Sequence, residues 1–189
     1  MRKLVALFLL SIPLWAGPKP KVKLTTSMGE IVLQLEPEAA PQTVGNFLNY
    51  VRKGFYNGTV FHRVIPNFMI QGGGHLPDLQ KKSAGSSIDN EAELAKSKGL
   101  LNTRGTVSMA LPQGNPFGAT CQFFINVQDN PKLNFKAKTL TEYGYCPFGK
   151  VVQGMNVVDQ IRRVPTRAAG GMKDVPAKPV VILRAEEVR

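Results

Sequence analysis

The sequence predicts a mainly β protein in which antiparallel strands close into a barrel accompanied by two short helices. Three observations lead to this fold class. β-branched and aromatic residues recur in many short runs, and only two stretches have helical spacing. The 189 residues include 18 glycines and 14 prolines, which is typical of a chain with many turns. Because closure into a barrel leaves no exposed sheet edge, it is the simplest arrangement for this pattern.

The first predicted elements are a hairpin and a helix. Residues 22–26 and 30–35 are β-rich runs separated by Ser-Met-Gly, which predicts a hairpin with Gly29 in its turn. The helix begins near Pro41, because proline suits the first helical position, and it ends at Gly54. Four apolar residues follow the proline at helical spacing, namely Val44, Phe47, Leu48 and Val51.

The remaining chain predicts six strands and one more helix. Residues 155–163 form the helix, because Val158 and Ile161 fall on one side. Residues 72–105 are rich in Gly, Ser, Lys and Asn and are predicted to be mostly loop. We find no repeat and no linker, so residues 22–189 are expected to form one domain after a flexible lead at 17–21. The six strands cover residues 60–65, 68–70, 106–111, 122–127, 147–152 and 180–183.

Residues 1–16 are predicted to be a cleaved signal peptide. Arg2 and Lys3 precede an apolar run from Leu4 to Ala16, which is too short for a comfortable membrane span. Cleavage after Ala16 predicts a periplasmic or secreted protein that has no membrane attachment. An uncleaved anchor is the alternative, because Leu14 is less usual than alanine three residues before the cleaved bond.

The composition argues against several kinds of site. The net charge of +11 raises the question of nucleic acid, but the basic residues are scattered and never run longer than two. We therefore predict no nucleic-acid partner. Two cysteines and two histidines at unsuitable spacing predict no metal site. Cys121 and Cys146 are expected to be small buried residues, although the sequence alone leaves a single disulfide open.

Several segments resemble the cyclophilins, a family of peptidyl-prolyl cis-trans isomerases. The signature segment is Phe61-His-Arg-Val-Ile-Pro-Asn-Phe-Met-Ile-Gln-Gly-Gly, and Gln122-Phe-Phe-Ile-Asn-Val matches the family at the expected distance. Gly105-Thr-Val-Ser-Met-Ala110 and Phe148-Gly-Lys-Val-Val-Gln-Gly-Met155 also match. The resemblance spans residues 22 to 188 and is strongest to exported bacterial members. It implies a closed eight-stranded antiparallel β-barrel capped by two short α-helices, and an enzyme that needs no cofactor.

The resemblance also implies an active site. Arg63 is the expected catalytic donor to the prolyl carbonyl and imide nitrogen, and Gln71 is expected to hold it and to bind substrate backbone. The substrate is an Xaa-Pro segment of an unfolded or partly folded protein, and the enzyme is expected to be a monomer. The other expected substrate-binding residues, most of them apolar, are Phe68, Met69, Ala110, Leu111, Phe124, Leu133 and Tyr145.

Two residues near this site are interpreted differently. Lys132 stands where many cyclophilins carry Trp or Phe, which predicts weak cyclosporin binding with retained isomerase activity. It also gives some weight to an alternative, a proline-binding module or chaperone without useful turnover. His62 is expected to be a structural, hydrogen-bonded histidine, because isomerisation needs no proton shuttle.

Overall fold

A computed structural model describes residues 17–189, so the predicted signal peptide at 1–16 lies outside the described residues. Eight strands form a closed antiparallel barrel in the order β1-β10-β3-β4-β6-β5-β7-β2. This confirms the predicted eight-stranded barrel. The barrel strands are β1 (Lys21–Thr26), β2 (Gly29–Leu35), β3 (Thr59–Ile65), β4 (Met69–Gly72), β5 (Thr106–Met109), β6 (Phe123–Asn126), β7 (Pro147–Gln153) and β10 (Val181–Val188).

Within residues 17–189 the other elements are three helices, a single 3-10 turn and a small hairpin. The two predicted helices are present as α1 (Pro41–Arg52) and α3 (Met155–Ile161). The 3-10 turn covers Pro131–Leu133. Helix α2 (Ala92–Ser97) lies inside the segment that was predicted to be mostly loop. The hairpin of β8 (Thr166–Ala169) and β9 (Met172–Pro176) was not predicted at all.

The first hairpin follows the prediction closely. Thr26 pairs with Gly29, and Gly29 has a φ of +129°, which side chains rarely adopt. A Cβ at this position would also lie 2.8 Å from Val157 of α3. Glycine therefore serves both the turn and the close approach of the helix. The preceding lead is one residue shorter than predicted, because Lys21 already belongs to β1.

The barrel interior and the inner face of α1 share one apolar core. The ring of Phe47 lies 5.2 Å from Tyr56, 5.5 Å from Phe123 and 5.1 Å from Phe148, measured between ring centroids. All four rings are completely buried. Such clustered aromatic rings contribute both buried area and favourable edge contacts, so they fix α1 against the barrel.

Helix α1 receives its N-terminal cap from a distant residue. Ala40 precedes the helix and offers no side-chain acceptor. The carboxylate of Glu91 instead accepts hydrogen bonds from the backbone N–H of Gln42 at 3.1 Å and of Thr43 at 2.8 Å. A negative charge at a helix N-terminus is favourable, so this contact ties the segment before α2 to the N-terminus of α1.

The cysteines are buried and unpaired, as expected of small core residues. Burial raises the pKa of the Cys146 thiol to about 12, so it is an unreactive thiol at neutral pH. Among residues 17–189, no helix is both long and apolar enough to span a bilayer.

Candidate active site

The base of the site lies on three neighbouring strands. Arg63 on β3 faces Gln71 on β4, and Gln71 faces Phe124 on β6. Facing residues of paired strands point to the same side of the sheet, so these three side chains come together. The register of β3 shifts between Phe61 and Arg63, which leaves His62 as the extra residue of a bulge. A bulge redirects the next side chain, and here it turns Arg63 to the face of Gln71.

All the residues predicted for the site line one cavity of about 70 Å³. Met69 and Phe124 are almost fully buried, whereas Arg63 and Gln71 are half-buried at its edge. We call this cavity the proline pocket, for the ring that the resemblance assigns to it. Its lining residues are Arg63, Phe68, Met69, Gln71, Ala110, Leu111, Phe124, Leu133 and Tyr145.

A row of polar side chains crosses the edge of the pocket. The guanidinium Nη1 of Arg63 donates to Oε1 of Gln71 at 3.5 Å, and Nε2 of Gln71 donates to Oε1 of Gln122 at 3.0 Å. Gln122 therefore fixes which way the Gln71 amide points. Gln122 was not predicted to be a site residue, although it is the first residue of a matching segment. Gly74 leaves room for it, since a Cβ there would lie 2.4 Å from Cγ of Gln122.

Loops complete the rim of the pocket. Tyr145 stacks edge-on against Phe124 with ring centroids 5.6 Å apart, and its backbone N–H donates to the carbonyl of Leu133 at 2.8 Å. The buried amide of Asn102 donates to the carbonyls of both Leu133 and Tyr145, at 3.2 and 3.1 Å. Asn102 therefore ties two rim residues, which lie 12 positions apart in sequence, to the barrel.

A second buried asparagine supports the other side of the pocket. Nδ2 of Asn130 donates to the carbonyl of Phe68 at 2.9 Å and to Oδ1 of Asn126 at 2.7 Å. Asn126 in turn donates to Oδ1 of Asn102 at 3.3 Å. Buried polar groups of this kind specify a unique arrangement when their hydrogen bonds are satisfied. This asparagine network, Asn102, Asn126 and Asn130, was also missed by the sequence analysis.

The positive charge of the site is the guanidinium of Arg63. In residues 17–189, no carboxylate lies within ion-pair distance of Arg63, and its single side-chain hydrogen bond is the long one to Gln71. Within the same described part of the chain, no group of three or more His, Cys, Asp or Glu side chains could hold a metal ion. The arrangement combines an apolar pocket with an uncompensated, directional donor at its edge. It can bind an apolar ring and polarise an adjacent carbonyl or nitrogen.

His62 lies under this surface and not in the pocket. It is almost fully buried, and its ring centroid lies 4.2 Å from that of His75. The sequence predicted a hydrogen-bonded histidine, but Nδ1 of His62 has no hydrogen-bond partner within the described residues. Burial, and secondarily the neighbouring His75, lower the pKa of His62 to about 3. It is therefore neutral at neutral pH.

Comparison with known proteins agrees with this geometry. The family model for the cyclophilin type peptidyl-prolyl cis-trans isomerases matches residues 21–187. A peptidyl-prolyl cis-trans isomerase of Streptomyces antibioticus is 53% identical over 165 residues, which cover 87% of this chain and 96% of that protein. Peptidyl-prolyl cis-trans isomerase B of Escherichia coli K12 is 52% identical over 157 residues, covering 83% of this chain and 93% of the relative.

Solved structures show the same fold. A cyclophilin-type isomerase of Cryptosporidium parvum superposes with a TM-score of 0.75 at 26% identity, covering 90% of this chain and 98% of that one. The same protein in the presence of the dipeptide Ala-Pro gives a TM-score of 0.74 and covers 89% and 99%. With the matched family model and close bacterial relatives, the chain belongs to the cyclophilin-type peptidyl-prolyl cis-trans isomerases, enzymes that act on Xaa-Pro peptide bonds.

Proposed function

We propose that this isomerase acts through Arg63, which stabilises the twisted imide of a substrate whose proline ring occupies the proline pocket. The peptide bond resists rotation with a barrier of about 18–20 kcal/mol, because resonance gives it double-bond character. Rotation removes that resonance and leaves a lone pair on the proline nitrogen. A donor aimed at this lone pair binds the twisted state more tightly than either planar state, and only such differential binding accelerates the reaction.

The observation that carries the proposal is the guanidinium of Arg63 at the rim of an apolar cavity, where no carboxylate of residues 17–189 lies within ion-pair distance of it. Gln71 accepts a hydrogen bond from this guanidinium and is itself held by Gln122, so the orientation of Arg63 is partly fixed before substrate arrives. A preorganised donor costs little reorganisation at the moment of reaction. Phe124, Met69 and Leu133 supply the apolar walls that hold the ring in place.

The test compares Arg63→Ala with the parent in catalysed cis-to-trans exchange of a short Xaa-Pro peptide, followed by NMR exchange spectroscopy. Loss of one aimed donor is expected to lower kcat/KM by about 10²–10³-fold. Arg63→Lys keeps the charge but loses the planar fork, so it is expected to fall between the two. Arg163→Ala is the control, since Arg163 is exposed and lies outside the pocket.

A folded Arg63→Ala protein with parental kcat/KM would refute the role of Arg63. A folded parent that binds proline peptides without exchanging them would favour the alternative raised by Lys132, a proline-binding module. Circular dichroism spectra of each variant separate these outcomes from simple misfolding.

We also propose that the enzyme works as a periplasmic or secreted monomer and assists the folding of exported proteins. The support is the basic and apolar segment at residues 1–16, which has the pattern of a cleaved signal peptide. Expression of the full chain in a bacterium, followed by fractionation and mass spectrometry, should find a periplasmic protein beginning at Gly17. Intact chain in the cytoplasm would contradict this location, and sedimentation of the mature protein as a dimer would contradict the monomer.

A further inference from the structure

A wider groove adjoins the proline pocket and shares three of its residues, Arg63, Leu111 and Tyr145. Its volume is about 450 Å³, compared with about 70 Å³ for the pocket. We call it the basic groove. Because it opens from the same arginine, a peptide whose proline fills the pocket must lay neighbouring residues in or beside it.

The basic groove carries two positive charges and no negative one. Arg63 and Lys132 line it, and among the described residues that form its walls none is acidic. Lys132 is exposed, and no carboxylate of residues 17–189 lies within ion-pair distance of it. Both charges are therefore free to attract a ligand of opposite sign.

The backbone fixes Lys132 next to the pocket. Lys132 lies in the 3-10 turn Pro131–Leu133, and the following residue, Leu133, is part of the pocket wall. The N–H of Leu133 donates to the carbonyl of Asn130 at 2.9 Å, and Asn130 belongs to the buried asparagine network. The base of this lysine is thus held firmly, while its ammonium group can move over the groove.

The far wall of the groove is also held in place. Leu140 and Thr141 belong to the loop between Leu133 and Tyr145, and the ring of Tyr143 in that loop packs between Phe117 and Phe135. The centroid distances are 4.9 and 5.3 Å. These ring contacts pack the loop that carries Leu140 and Thr141 against neighbouring parts of the chain.

We propose that the basic groove selects Xaa-Pro substrates that carry a carboxylate side chain within about three residues of the proline, with Lys132 as the specificity-determining residue. The inference rests on the proposed function, because it assumes that the proline ring occupies the neighbouring pocket. An extended peptide advances about 3.3–3.6 Å per residue, so a side chain two or three residues away lies within reach of a groove of this size. Opposite charges then favour association and raise its rate.

The experiment measures kcat/KM for peptide pairs that differ only by Glu or Gln, placed in turn at each of the three positions on either side of the proline. At one or more positions the Glu peptide is expected to be favoured by about 1.5- to 5-fold, the range for an exposed ion pair. The preference should vanish in 1 M salt, where the Debye length is about 3 Å.

Variants assign the preference to Lys132. The Glu-to-Gln ratio is expected to fall towards one in Lys132→Gln, which leaves only the charge of Arg63 in the groove, and to fall further in Lys132→Glu. Lys53→Gln removes an equal charge from an exposed position outside the groove and should leave the ratio unchanged. A ratio that falls equally in Lys53→Gln would mean a general effect of the net charge of +11 and would overturn the proposal.

The outcomes also separate this inference from the proposed function. Efficient turnover with a ratio of one at every position would refute the charge selection and leave the isomerase mechanism intact. If the parent binds the peptides without turnover, the proposed isomerase mechanism is refuted but the charge selection is not. The same Glu-to-Gln ratios are then obtained from dissociation constants measured by fluorescence anisotropy. A ratio of one in those constants overturns the charge selection as well.

Discussion

Replacing Asn102 with alanine is expected to destabilise the protein and, as a separate effect, to weaken substrate binding. Asn102 is buried, with 1% of its surface exposed. Its Nδ2 donates to the carbonyls of Leu133 and Tyr145, and its Oδ1 accepts from the hydroxyl of Ser108 at 2.7 Å and from Asn126 at 3.3 Å. One side chain thus connects the strands β5 and β6 to the rim of the proline pocket.

The magnitude follows from the groups that the substitution leaves without partners. Alanine removes both donors and the acceptor, and each buried polar group left unsatisfied costs about 1–3 kcal/mol. Water can enter the space of the missing amide and satisfy part of this set. We expect a loss of about 2–4 kcal/mol in the free energy of unfolding, equivalent to one or two unsatisfied groups.

Two assays separate the effects. Urea unfolding is followed by circular dichroism, because the single tryptophan, Trp15, lies in the segment predicted to be cleaved. Steady-state kinetics on a proline peptide are measured at a temperature where the variant is fully folded. KM is expected to rise about tenfold, equivalent to about 1.4 kcal/mol of binding, since Leu133 and Tyr145 lose their anchor. The effect on kcat should be smaller, because Arg63 and Gln71 lie on strands.

Ile161→Ala is the matched control. Ile161 is fully buried on α3, away from the pocket lining, and its truncation is expected to cost about 2–5 kcal/mol. Its KM should stay at the parental value. If Asn102→Ala loses comparable stability but keeps a parental KM, the rim does not depend on Asn102 and the reasoning is wrong.

Two further predictions concern the polar row and the buried histidine. Gly74→Ala should displace Gln122 and lower kcat/KM about tenfold by releasing Gln71, whereas Gly45→Ala, with nothing within 4 Å of its Cβ, should keep full activity. Equal activities would contradict the role of Gln122. For His62, burial lowers the pKa to about 3 from 6.5, so the unfolded chain binds the proton between these values and the folded chain does not. The stability that depends on neutral His62 is fully present above pH 6.5. As the pH falls from there towards 3, the free energy of unfolding decreases by at most about 1.4 kcal/mol per pH unit. Between pH 4 and 6.5, the free energy of unfolding in urea should depend less steeply on pH in His62→Gln than in the parent. Equal pH dependence in the two proteins would refute this account.

The strands of the barrel could be predicted because their signal is local. Each of the eight has a β-branched or aromatic run bounded by turn residues, and the barrel buries those runs. Helix α2 could not be predicted in this way, since it has only six residues and two buried alanines. Its position depends on contacts distant in sequence, such as the hydrogen bonds that Glu91 accepts from the N-terminus of α1. The β8–β9 hairpin was missed for a similar reason, because most of β8 is exposed and carries no apolar alternation.

The residues of the site likewise differ in whether a local sequence pattern marks them. Arg63, Gln71 and Phe124 were singled out from the resemblance, and the strand register brings them together in one pocket. Their catalytic and binding roles remain the proposals made above. Asn102 lies in a segment predicted to be loop, and the two rim residues that it holds are 31 and 43 residues away, so no local pattern marks its role at the pocket. Weak cyclosporin binding, predicted from Lys132, stays a prediction.

Site residues on strands and rim residues on loops should respond differently to substitution. Arg63, Gln71 and Phe124 lie on strands whose register is fixed by closure of the barrel. A one-residue slip of that register would turn every side chain of the strand to the other face of the sheet. The rim residues Leu133 and Tyr145 lie outside the strands, and the buried side chain of Asn102 holds both of them through hydrogen bonds to their carbonyls. Changes at Arg63 should therefore act on kcat, because they alter transition-state binding. Changes at the rim or in the asparagine network should act on KM and on the choice among substrates, because they alter ground-state contacts while leaving the donor in place.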